Sequence, residues 1–321
     1  MQINNSQVIC IGELLIDFFC TEIDTSLMDG RSFEKQAGGA PANVSATIVK
    51  LGGNAAFVGK VGDDPFGHFL KQTLLELRVD TSMLILDEFH STTMAFVSLD
   101  KNGERDFVFH RGADAFLKDE DIKEDMLDQS SILHFGSATA LLQEPFRKTY
   151  LNTIKKAKAA EKFISFDPNY RADLWKGKEQ DFIQQVKECL AYSDFVKVSE
   201  EELMLITKNE EFEQAVKELH EMGVRLVSVT LGKKGTFISN GSQTRMVPSV
   251  AVNSIDSTGA GDAFVGAMLF NVAQKYNREA IFKDFNSFVE ITTFSNKVGA
   301  LVCTKLGAIA SIPTIEEVNS I

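Results

Sequence analysis

The sequence predicts an α/β fold, a doubly wound and mostly parallel sheet with helices on both faces and a small β appendage. Three observations carry this. Short apolar runs alternate with longer segments of helical period, the pattern of βαβ units. Several runs lead straight into small or polar residues, as strands do where they end at a ligand crevice. One pair of extended segments around Asn102-Gly103 breaks the alternation.

Val8–Ile11 opens the series and runs into Gly12-Glu13. An irregular insert, about Phe18 to Gln36, follows, and Ala55–Val58 is the next candidate strand. Met94–Leu99 and Asp106–His110 flank Asn102-Gly103, a preferred centre for a tight hairpin turn, and the earlier insert is placed to pair with that hairpin. Together, about residues 18–36 and 92–112, they read as a lid over the sheet's carboxyl edge; a structural decoration is the competing reading. Ile132–Phe135, Phe163–Phe166, Phe195–Val198 and Leu226–Val229 are further strands. They end at Gly136-Ser137, Asp167-Pro168-Asn169, Ser199-Glu200 and Thr230-Leu231-Gly232, which are candidate pocket walls. Phe212, Ala215, Val216, Leu219 and Met222 share one face of a crossover helix closed by Gly223. From Ala260 to Tyr276 the chain is almost uniformly apolar, as expected of a buried helix. No repeat or Pro/Ser-rich linker interrupts the 321 residues, so 1–321 reads as one domain.

Composition narrows the function classes. A net charge of −12 argues against nucleic-acid partners, whose phosphates need a basic face. There is no uninterrupted apolar stretch of roughly 18 residues, and MQINNSQ lacks the basic and apolar regions of a secretory leader, so a cytoplasmic protein without membrane contact is expected. Cys10, Cys20, Cys189 and Cys303 are scattered and fit reduced core thiols better than a metal or disulfide framework. The five histidines show no metal-ligand spacing, and His110 is a candidate lid contact.

The most informative stretch is Asp256-Ser257-Thr258-Gly259-Ala260-Gly261-Asp262-Ala263-Phe264. Gly259 and Gly261 let the backbone approach an anion, and the helix that follows directs its unpaired N–H groups and positive dipole end at the same point. Asp262 admits two readings, a dipole-stabilising acid in the first turn or the acceptor of a proton from an attacking hydroxyl. Two familiar nucleotide motifs are absent: Phe264 stands where GxGxxG needs its third glycine, and Val61 follows Gly59-Lys60 where a P-loop needs Ser or Thr.

A second glycine cluster, Ala37-Gly38-Gly39-Ala40-Pro41-Ala42-Asn43, is followed by Leu51 to Asp64, with glycines at 52, 53, 59 and 62. These segments and the 256–264 stretch together resemble the two signatures of the PfkB, or ribokinase-like, family of carbohydrate kinases. The resemblance runs from Gly12 to Thr304-Lys305-Leu306-Gly307-Ala308-Ile309. It implies a Rossmann-like α/β/α core with a β-sheet lid, and a sugar kinase using ATP and Mg2+, with K+ in many members. It further implies that Asp17, Gly38, Gly39 and Asn43 hold sugar hydroxyls. Thr230, Gly232, Gly235 and Asn296 would serve the nucleotide, Gly259, Ala260 and Gly261 would form the anion hole, and Asp262 would be the base. Asp256 and the carbonyl of Thr258 match a monovalent-cation site. Lys197-Val198-Ser199-Glu200-Glu201-Glu202 takes the place of an Asn-x-x-Glu motif associated with magnesium and phosphate. Ser199 replaces the Asn, as in fructokinase-like members, and Lys197, Ser199 and Glu202 fall on the ATP side with Glu202 acting indirectly on the metal.

Finer resemblance sets the substrate. Ser165 to Arg171, which contains Asn169, and Arg105 to Asp114 look like fructokinases, implying fructose 6-phosphate as product. Arg111 and Arg171 also match positions that 2-keto-3-deoxygluconate kinases use, where a guanidinium pairs with a carboxylate. That activity, then ribokinase, are the alternatives within the class; a non-catalytic sugar or nucleotide sensor is the alternative outside it. Exposed lid edges suggest a homodimer.

Overall fold

In a computed structural model, residues 7–22, 24–99, 105–274 and 278–321 are described. The strands are, in chain order, β1 (Val8–Ile11), β2 (Leu15–Cys20), β3 (Phe33–Gly38), β4 (Ala55–Gly62), β5 (Asp80–Asp87), β6 (Met94–Leu99), β7 (Arg105–His110), β8 (Ile132–Phe135), β9 (Phe163–Phe166), β10 (Phe195–Ser199), β11 (Leu226–Thr230), β12 (Thr236–Ser239) and β13 (Thr244–Val247). Among the described residues the larger sheet has nine strands in the order β13-β12-β11-β10-β9-β8-β1-β4-β5. It is parallel from β11 to β5, with β12 and β13 antiparallel at one edge.

The alternation of side chains along each strand divides the core into two layers. Ile9, Ile11, Leu133, Phe135, Ile164, Phe166, Val196 and Val198 face helices Phe146–Ala159, Glu179–Leu190 and Phe212–Glu221. Val8, Cys10, Ile132, Phe163, Phe195 and Leu226 face helices Ala260–Gln274 and Phe285–Val302. Burial on both faces explains why these strands read as continuous apolar runs. Strand β5 escaped that reading because its DTSMLILD mixes polar with buried apolar residues at the sheet's edge, and β12 (TFIS) and β13 (TRMV) because polar residues interrupt their apolar runs, three of the four residues of β13 being exposed.

The second sheet has the order β3-β2-β6-β7. It begins at Leu15 and ends its first arm at Gly38, wider than the insert read from Phe18 to Gln36, because Leu15 and Ile16 already pair with Gly38 and Ala37. The hairpin strands β6 and β7 are paired antiparallel; the turn residues Asn102 and Gly103 lie outside the described residues. The apolar helix ends at Gln274, and its expected extension to Tyr276 likewise lies outside them.

Candidate active site

A cavity of about 540 Å3 lies between the inner face of the small sheet and the carboxyl edge of the large one. Alternation within the small sheet selects its roof: Leu15, Asp17 and Phe19 from β2, Ala95 and Val97 from β6, Phe107 and Phe109 from β7. The floor comes from strand ends, with Glu13 after β1, Thr139 after β8, Asn169 and Arg171 after β9, and Lys197 and Ser199 on β10. The loop Ser257–Gly261 and Asp262 close one side.

Gly259 has a φ of +78°, and a Cβ there would lie 2.6 Å from that of Ala308, so the loop needs glycine both for its conformation and for its packing. The helix Ala260–Gln274 starts at once, and Asp262 sits in its first turn, buried on the cavity wall. Its Oδ2 accepts a 2.8 Å hydrogen bond from Asn43 Nδ2. Burial raises the pKa of Asp262 above the ordinary carboxylate value, while the Asn43 hydrogen bond and the charges of Arg171 and Lys197 pull it back. Asn43 Oδ1 has no partner and is buried, an acceptor at the same wall. Gly38 is required beside Asp17, because a Cβ there would come within 2.0 Å of Asp17 Oδ2.

Beside Gly261, Lys197 Nζ lies 3.0 Å from Asp167 Oδ2. Burial alone would favour the neutral amine, but the carboxylates of Asp167, Glu202 and Asp262 outweigh it and raise the basicity of Lys197. Ser199 caps the helix Glu200–Thr207: its hydroxyl accepts from Glu202 N, and Glu202 Oε2 accepts from Ser199 N at 2.7 Å. Glu202 Oε1 accepts from Tyr170 N at 2.8 Å, which ties the β9 exit to the same cap.

The remaining candidates are distributed as follows. Gly39, Asn169 and Thr258 line the cavity, and Asn169 Nδ2 donates to the Gly136 carbonyl at 2.8 Å. Arg111 is turned away from it: Nε donates to Asp114 and Nη2 to the Thr139 carbonyl, behind the floor. Thr230, Gly232 and Gly235 follow the carboxyl end of β11, one strand beyond the cavity. Asn296 accepts from the Thr236 hydroxyl and donates to the carbonyls of Val247 and Pro248, joining its helix to the sheet edge. Asp256 accepts from the amide and hydroxyl of Thr258 and from the amide of Gly307, fixing the approach to the glycine loop. The strand-end signal places both Gly12-Glu13 and Asp167 among the expected pocket walls, but gives neither acid a role of its own in the site. Glu13 is buried and accepts from Ala40 N and the Ser137 hydroxyl, holding the first glycine cluster against the floor.

Among the described residues there is no cluster of three or more His, Cys, Asp or Glu that could hold a metal ion. The described helices include none long and apolar enough to cross a membrane.

Comparison with known proteins agrees with this geometry. The model of the pfkB family carbohydrate kinases matches residues 5–315. Fructokinase-2 of Oryza sativa subsp. japonica is 40% identical over 311 residues, covering 96% of this chain and 91% of that protein. A crystal structure of fructokinase with bound ATP from Xylella fastidiosa superposes with a TM-score of 0.90 at 32% identity, covering 98% of both chains. A fructokinase double mutant from Vibrio cholerae O395, in fructose, ADP and potassium ion bound form, gives 0.86 at 32% identity, covering 100% of this chain and 99% of that one.

Proposed function

The chain belongs to the pfkB family of carbohydrate kinases, and we propose that its site transfers the γ-phosphoryl group of ATP to the primary hydroxyl of fructose, giving fructose 6-phosphate and ADP. The observation that carries this is Asp262, a buried carboxylate in the first turn behind Gly259–Gly261, on the wall of a cavity whose roof bears Asp17. The step forms a bond from the sugar oxygen to the γ-phosphorus and breaks that phosphorus's bond to the β–γ bridging oxygen. The hydroxyl proton passes to Asp262. Backbone donors at 259–262 and the helix dipole stabilise the charge on the phosphoryl oxygens. The raised pKa of Asp262 makes it a stronger proton acceptor than an ordinary carboxylate.

Magnesium, when bound with ATP, neutralises phosphate charge. Glu202 would act on it indirectly, since both of its carboxylate oxygens already accept backbone N–H groups. Asp256 and the Thr258 carbonyl would hold a potassium ion behind the glycine loop. The ATP side would extend over Lys197, Ser199, Thr230, Gly232, Gly235 and Asn296. The sugar side would be Asp17, Gly38, Gly39, Asn43 and Asn169, with the small sheet as its lid.

A neutral sugar fits better than a sugar acid. Of the two arginines that a carboxylate substrate would use, Arg111 does not line the cavity and gives Nε to Asp114 and Nη2 to Thr139, leaving only Nη1 without a partner, and Glu13 and Asp17 add negative charge to the cavity. An ADP-release assay over fructose, ribose, glucose and 2-keto-3-deoxygluconate tests the reading; no turnover with any of them would leave the sensor alternative. β3 and β7 are the outer strands of the small sheet, and this supports a homodimer through it. Four free cysteines and the absence of a membrane-crossing helix among the described residues are in keeping with a cytoplasmic enzyme.

A further inference from the structure

Charge balance in the cavity points to a group whose task the reaction scheme above leaves open. Its wall carries Glu202 and Asp262, with Asp167 directly behind Lys197, and a nucleotide adds more negative charge. Among the described residues two cations line it, Arg171, which is exposed, and Lys197, which is buried. Lys197 Nζ lies 3.1 Å from the point where a Cβ on Gly261 would stand, so the ammonium abuts the glycine loop. It has three N–H donors, and the hydrogen bond to Asp167 takes one.

The polar groups next to it are already committed. The Ser199 hydroxyl accepts the helix-cap bond and keeps only its neutral O–H to donate, and both Glu202 oxygens accept main-chain N–H groups. Neither therefore presents a positive charge to the phosphates. A buried ammonium at an anion-binding loop does, and its burial strengthens its attraction for developing negative charge.

We propose that Lys197 is a catalytic residue, donating to an oxygen of the phosphoryl group as it passes from ATP to the sugar, and that Asp167 is the positioning residue that holds it there. The inference rests on the kinase reading of the same site. Asp167 is one strand away from Lys197, at the end of β9, and keeps the long side chain extended along the floor toward Gly261. Its charge also keeps the amine protonated against the cost of burial.

The competing role is purely structural, with Lys197 present to neutralise a buried Asp167. Lys197→Met, Asp167→Asn and the double variant separate the two. In Lys197→Met we expect kcat with fructose to fall about 10² to 10³-fold, as for loss of one donor to a developing oxyanion. The double variant removes both buried charges, so it folds even if the single one does not, and it should remain as slow. Binding of ADP alone should stay within about threefold of wild type by calorimetry. The complex with ADP, aluminium fluoride and fructose, which mimics the transferring phosphoryl group, should weaken by the same factor as kcat. A double variant that recovers to within about tenfold of wild-type kcat would overturn the proposal. Wild type that phosphorylates no sugar would instead overturn the kinase reading.

Discussion

Asn43 donates a 2.8 Å hydrogen bond to Asp262 across 219 positions of sequence, joining the two glycine signatures of the chain at one carboxylate. The donor comes from the helix Ala40–Lys50, which packs beside the helix Ala260–Gln274 at the N-terminal end of both. The contact orients the syn and anti lone pairs of Asp262 and offsets part of the penalty of burying it.

Asp262→Asn should keep nucleotide binding and lose about 10² to 10⁴ in kcat, the usual contribution of a positioned general base. It should also flatten the pH dependence of stability. The folded state holds a proton on Asp262 more tightly than the unfolded chain does. That stabilisation is full below the ordinary carboxylate value and is lost as pH rises through the raised folded value. At neutral pH the Asn variant should therefore melt above wild type. A variant with more than about a tenth of wild-type turnover would mark Asp262 as a helix-start acid only.

Asn43→Ala should move the acidic limb of the kcat profile to higher pH. Removing the donor leaves burial less opposed, so Asp262 deprotonates later and the base form appears only at higher pH. A pH–rate series on wild type and variant decides this. An unmoved limb with a changed fructose KM would restrict Asn43 to holding sugar hydroxyls.

Potassium should raise the rate above that in a bulky organic cation at matched ionic strength, and Asp256→Ala should abolish the difference. Asp256 fixes the loop through Thr258 and Gly307, so the variant should lose basal rate as well. Equal rates in the two cations for wild type would remove the potassium site and leave the kinase assignment standing.

Fructose should give the highest kcat/KM of fructose, ribose, glucose and 2-keto-3-deoxygluconate, and Arg171→Ala should not change that order. Arg111→Met should act differently, lowering stability by about 3 kcal/mol because it strands the fully buried Asp114. Thermal melts and sugar panels on both variants check the contrast. A preference for the sugar acid that collapses in the Arg171 variant would promote that substrate.

Sequence alone determined the parts of this protein that are encoded within a few residues. The runs Val8–Ile11, Ile132–Phe135 and Phe163–Phe166 are strands with those same ends, because burial on both faces demands unbroken apolar stretches. The Gly259–Asp262 turn is equally local, since a left-handed glycine and a helix start are properties of adjacent residues. Tertiary structure decided which distant groups meet. Lys197 and Asp167 pair because β10 lies beside β9, and Arg111 turns to Asp114 and Thr139 because β7 returns to the core behind the cavity floor. Asp167 lies 30 positions from Lys197 and Thr139 lies 28 from Arg111, so neither pairing is recorded locally, whereas Asp114 is within one turn of Arg111 in sequence. The order of strands in the sheet, a global outcome of burying both its faces, sets the distance between them.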